Sequence, residues 1–211
     1  MSYTGVLPYQ REGAWFSMHG FHYASAHRYL RDFQTAQASL AAKEASLSSE
    51  VGDIAEEHHR SFIFHETMSL RVSVEQAFIS SMLYSCMAIE AFINNYGVRR
   101  LGEDFFRRNL ERLGITEKHS LIMLTCYGRV IPQDDPERAK LRAMFDTRNQ
   151  LVHPKAREFT FELLEKERQE PPMENRLALH FGSMEAVIDQ FCTLDDHIVR
   201  DFEFRKPAGR E

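Results

Sequence analysis

The chain has few cysteines, one tryptophan and, across its long central stretch, no proline. Cys86, Cys126 and Cys192 are odd in number, far apart and without a CxxC spacing, which argues against a disulfide framework and against a cysteine zinc site. No run approaches 18 uninterrupted apolar residues, so no membrane span is expected. The opening MSYTGVLPYQREGAW lacks the basic-then-apolar pattern of a signal peptide, and a cytoplasmic location is expected. Most catalytic signatures are also missing: there is no P-loop, no GxGxxG, no GxSxG and no HExxH.

What is present describes a soluble globular domain. The 211 residues are 43% apolar and 27% charged, which excludes a disordered chain or a fibre. The net charge is −5, but 13 basic and 8 acidic side chains fall between Arg99 and Arg157. That local +5 between acidic flanks suits an anionic ligand better than the overall charge does.

The gap between Pro8 and Pro132 permits long helices. Leu30, Phe33, Gln37, Leu40, Glu44, Leu47, Val51 and Ile54 follow a 3-4 spacing, which predicts an amphipathic helix from about His27 to His58 with an interruption near Gly52 and Asp53. This stripe packs either on its own domain or, as a coiled coil, on another chain. A second helix is expected from Glu66 to Tyr96, ended by Gly97. Val74, Phe78, Met82, Cys86, Ile89 and Ile93 give it a wide apolar arc, as in a central helix touched on several sides. Shorter helices are expected over 104–113, closed by Gly114, and over 117–127, closed by Gly128. Another should begin at Pro136 and stop at His153, ahead of Pro154. REFTFELL, at 157–164, alternates like a short strand or extended loop but has no second strand to pair with. A last helix is expected from Asn175 to Phe204. The expected architecture is all-α: an N-terminal helical arm over 1–62 and a helical bundle over 63–211.

Ten histidines invite a metal hypothesis, above all in EEHHR at 56–60. On a helix His58 and His59 point about 100° apart and cannot face one ion together. Neither a metal nor a cofactor is expected.

The feature that stands out is Arg148-Asn149-Gln150-Leu151-Val152-His153, followed by Pro154 and Lys155. Leu141, Phe145, Arg148 and Val152 share a helix face, so Arg148 interrupts an apolar stripe and needs an anion, a carboxylate such as Glu90, or a cavity. His153 at a helix C-terminus, with an ordinary pKa of about 6.5, can move protons near neutrality. An arginine that grips phosphate and a histidine that moves protons suffice for RNA transesterification. The spacing alone is weak evidence: 20 arginines and 10 histidines give about one Arg-x4-His match by chance. Arg60 and His65 form a second match, without the following Asn or the helix-ending proline.

Here the chain resembles the HEPN superfamily, whose ribonuclease members carry an Arg, usually a polar residue next, and a His a few positions later. SCMAIEAFINNYG, at 85–97, is similar to the helix that precedes the motif helix in many HEPN domains. The resemblance spans roughly Glu66 to Phe204. It implies a metal-independent endoribonuclease with Arg148, Asn149 and His153 catalytic, and with Glu90, Asn94 and Lys155 lining or supporting the site. It further implies RNA as substrate and a homodimer whose two motifs share a cleft. Many members are toxins or anti-phage effectors held in check by a cognate inhibitor protein. A non-catalytic HEPN-like module that binds nucleotides or proteins is the alternative, and an unrelated helical interaction protein stands behind both.

Overall fold

The long proline-free stretch folds as two long helices, and the shorter ones gather around the second. The computed structural model describes residues 17–50, 56–152 and 169–195. Its helices are α1 (His19–Glu50), α2 (Glu56–Leu101), α3 (Glu103–Asn109), α4 (Ile115–Tyr127), α5 (Pro136–Val152) and α6 (Met173–Leu194). Among the described residues there is no strand, and the fold is an all-α bundle. The REFTFELL segment lies outside the described residues, as do Gly52 and Asp53.

α1 and α2 form an antiparallel hairpin. His19 packs near Phe92, Tyr29 stacks on Tyr84, Phe33 meets Phe78, and Arg71 pairs with Glu44. The Ser81 hydroxyl donates to the Ala26 carbonyl at 3.2 Å across the crossing. Phe33 and Leu47 of the 3-4 stripe are buried, with Leu30 and Leu40 partly so. The stripe thus zips onto its own chain. α1 begins eight residues earlier than its expected start, because Tyr23 and Ala26 continue the buried face and join the main core. Position 62 falls inside α2, which is continuous across it.

α2 is the centre of the bundle, touched by α1, α3, α4, α5 and α6. Val74, Phe78, Met82, Cys86, Ile89 and Ile93 are all buried, as the wide apolar arc predicts. Its length and composition would also allow a membrane crossing, which the sequence rule did not anticipate, although just over half of its most apolar window is buried inside the bundle.

α2 runs past Gly97 to Leu101, so Gly97 is not the terminator expected of it. A Cβ there would lie 2.7 Å from Phe106 Cε2 and 3.0 Å from Ile122 Cδ1. The glycine is a contact point that lets α3 and α4 close on the helix backbone. The turn is made instead at Gly102, whose φ of 86° is open to glycine. Gly114 likewise does not close α3, which ends at Asn109; it precedes the first residue of α4 with φ −63°. Gly128 does close α4, as expected. Its φ is 64°, and its N–H and that of Arg129 donate to Leu124 and Met123 carbonyls at 2.9 and 3.1 Å.

α5 starts as the sequence predicts. Pro136 is its first residue, and Asp135 Oδ1 accepts from the Arg138 N–H at 2.9 Å. α6 starts two residues before Asn175 and ends at Leu194, where Asp195 turns extended. The expected continuation through Ile198 and Phe202 lies outside the described residues.

Candidate functional site

α5 carries the motif toward the rim of the bundle. Leu141 and Phe145 are buried, Arg148 is half-buried and Val152 is exposed, so the stripe leaves the core as the helix nears its end. Arg148 Nη1 donates to Asn149 Oδ1 at 2.9 Å, which fixes the guanidinium beside an exposed amide. One turn earlier, the Cys86 thiol of α2 lies 3.6 Å from the Met144 carbonyl. Burial pushes that thiol up to about 12, while the charge of Arg148 lowers it and that of Glu90 raises it. Arg148 and Glu90 therefore both lie within electrostatic reach of Cys86.

Among the described residues no ion pair joins Arg148 to Glu90 or to any other acid. The plain salt bridge considered for this arginine does not form. His153 and Lys155 lie outside the described residues. The structure therefore places Arg148 and Asn149 together, with Glu90 nearby on α2.

Glu90 and Asn94, one turn apart on α2, line an open cleft of about 690 Å³ bounded by α2, α3 and α4. Its polar wall includes Lys118, which the sequence pattern does not single out. Lys118 is only 5% exposed, and its ammonium donates to Asn94 Oδ1 at 3.0 Å. Burial lowers its pKa, and Glu90 and Glu111 oppose that shift.

A second polar cluster was also missed. Tyr96 donates to Asp195 Oδ2 at 2.8 Å and shares a hydrogen bond with Tyr127, while Arg100 Nε donates to the Tyr96 oxygen at 3.1 Å. Burial raises both phenols well above their ordinary range, Tyr127 to about 12. Arg100 and Asp195 are buried together, so the cluster ties the end of α2 to the end of α6.

The other Arg-x4-His match lies wholly within α2, with Arg60 and His65 both exposed. Five residues apart on a continuous helix, the two positions lie about 140° apart around its axis. Comparison with protein-family models, with curated proteins and with solved structures finds no match for this chain.

Proposed function

We propose that the chain is a metal-independent endoribonuclease of the HEPN type, with Arg148 and His153 as its reacting pair and Asn149 as the residue that orients the arginine. The observation that carries this is the state of Arg148. It is a half-buried guanidinium at the end of an apolar stripe, held by a neutral amide and left without an acidic partner among the described residues. An arginine in that setting suits an incoming phosphate, to which it can donate two parallel hydrogen bonds.

In the reaction, His153 takes the proton of the 2′-hydroxyl, whose oxygen attacks the adjacent phosphorus. The bond to the 5′-oxygen breaks, that oxygen gains a proton, and a 2′,3′-cyclic phosphate remains. Arg148 balances the charge that builds on the non-bridging oxygens. A homodimer would add a second histidine as the acid, and members of such systems act as toxins or phage-defence effectors beside an inhibitor protein.

Purified protein is expected to cut single-stranded RNA in EDTA and to leave a cyclic phosphate end, with Arg148→Ala and His153→Ala both inactive but folded. Cleavage that appears only on addition of a divalent metal would contradict the chemistry. The alternative, a non-catalytic nucleotide-binding module, draws on the cleft at Lys118, and would be favoured by nucleoside binding without any cleavage.

A further inference from the structure

Two opposite charges line the cleft beneath α3 without pairing. Lys118 is nine-tenths buried and has one acceptor, Asn94 Oδ1, for three N–H donors. The Glu90 carboxylate has no hydrogen bond and no ion pair within 4 Å among the described residues. A buried ammonium and a half-buried carboxylate that share a cavity normally close on each other or find other partners. Here the ammonium bonds to Asn94 instead, and both charged groups line the same cleft. The Phe106 ring, itself only 5% exposed, lies 5.8 Å from the Lys118 ammonium and forms part of the cleft wall.

A ligand that fits must offer an acceptor to Lys118 next to donors for Glu90. The group seated in the cleft itself should carry no negative charge, because Glu103 and Glu111 also line it, beside the single further cation Arg107. Among nucleobases, guanine alone presents a carbonyl acceptor beside two adjacent donors, N1–H and N2–H, on one edge. Adenine offers one donor group and no carbonyl, uracil a single N–H between two carbonyls, and cytosine a single amino group. The cavity volume exceeds that of a nucleoside.

We infer that this cleft recognises guanine, with Lys118 donating to O6, Glu90 accepting from N1–H and N2–H, and Asn94 fixing the lysine between them. As a statement about substrate, it rests on the ribonuclease proposal and names a base that the protein would hold in the RNA. As a statement about binding, it stands without cleavage.

The test is calorimetry of the full chain with guanosine, inosine, adenosine and uridine, which carry no phosphate. Guanosine should bind, and inosine, which lacks the 2-amino group, should bind at least about tenfold more weakly. Adenosine and uridine should give no heat. Glu90→Gln should lose at least about tenfold in guanosine affinity while its thermal midpoint stays near that of the wild type. Lys118→Met should lose binding as well; should that variant not fold, the Glu90→Gln and inosine comparisons carry the decision. Absence of guanosine binding at its solubility limit, equal affinity for inosine, or undiminished binding by Glu90→Gln would overturn the assignment. Arg148→Ala separates the two proposals. It should retain guanosine binding even where RNA cleavage is lost, and a wild type that binds guanosine but cuts no RNA leaves the base site standing and removes the ribonuclease.

Discussion

Arg100 Nη2 lies 3.2 Å from Asp195 Oδ2, and the two side chains are only 1% and 2% exposed. The pair ties the C-terminal end of α2 to the residue that ends α6, and Tyr96 completes the closure by bonding to both. Removing one member of such a pair leaves a buried charge without compensation. Asp195→Ala should therefore cost about 3–5 kcal/mol in urea unfolding. Replacing both residues with apolar ones, as in Arg100→Met with Asp195→Leu, should recover much of that loss. A single variant within about 0.5 kcal/mol of the wild type would contradict the burial of the pair.

Gly97 gives a test of opposite local sign. In an exposed helix Gly→Ala gains about 1 kcal/mol from propensity. At this position the new methyl would press on Phe106 and Ile122, and overpacking of that kind costs about 1–3 kcal/mol. Gly97→Ala should lower the thermal midpoint, whereas a rise would mean that α3 gives way freely.

His180 sets an acid limit on stability. It is buried where α6 meets α2, with its Nε2 3.2 Å from the Met82 carbonyl oxygen and 3.4 Å from the Cys86 sulfur. Burial brings its pKa down to about 4; the Met82 bond resists this and Arg176 adds to it. The unfolded chain takes up the proton near pH 6.5, and the folded chain does so only near 4. Stability is therefore complete above 6.5 and falls as pH drops from 6.5 to 4, by about 3 kcal/mol from this group. His119, also lowered by burial, acts in the same direction. Urea midpoints across that window should flatten in His180→Gln. An unchanged slope would remove His180 as the cause.

The two Arg-x4-His matches can be told apart by activity. Arg60→Ala and His65→Ala should leave RNA cleavage within a few-fold of the wild type. For the proposed dimer, a mixture of Arg148→Ala and His153→Ala chains should regain part of the activity lost by each, because one shared cleft would then hold an intact arginine and an intact histidine. Sedimentation that finds a fully active monomer would remove the shared cleft.

Much of the frame could be read from the sequence because local pattern and tertiary role coincide there. The apolar arc from Val74 to Ile93 needs burial on several sides, and only a central position supplies it. Gly128 and Pro136 mark their helix ends through backbone geometry that neighbouring residues determine. Gly97 has the same local signature as Gly128, and only the approach of Phe106 from another helix separates the two roles. Of the candidate site, the stripe that brings Arg148 to the rim follows from helical spacing. Lys118 does not, since a lysine in a short helix looks solvated until α2 and α3 cover it. Arg100 and Asp195 stand 95 positions apart, and nothing local to either one points to the other.

The α1–α2 hairpin divides one helix between two stability regimes. α2 is about 69 Å long, and from Val74 onward it lies in the core. Before that point Phe62, Phe64, Met68 and Val72 are exposed, and among the described residues the main support comes from α1, through the buried Leu47 and the Arg71–Glu44 pair. Opening the tip uncovers little apolar surface, so its amides should exchange with solvent at a cost well below that of global unfolding. Along a single unbroken helix, protection should climb from the first turns toward Met82. The half of the molecule that carries Arg148 and the guanine cleft would then stay rigid while the far end of the same helix frays and re-forms.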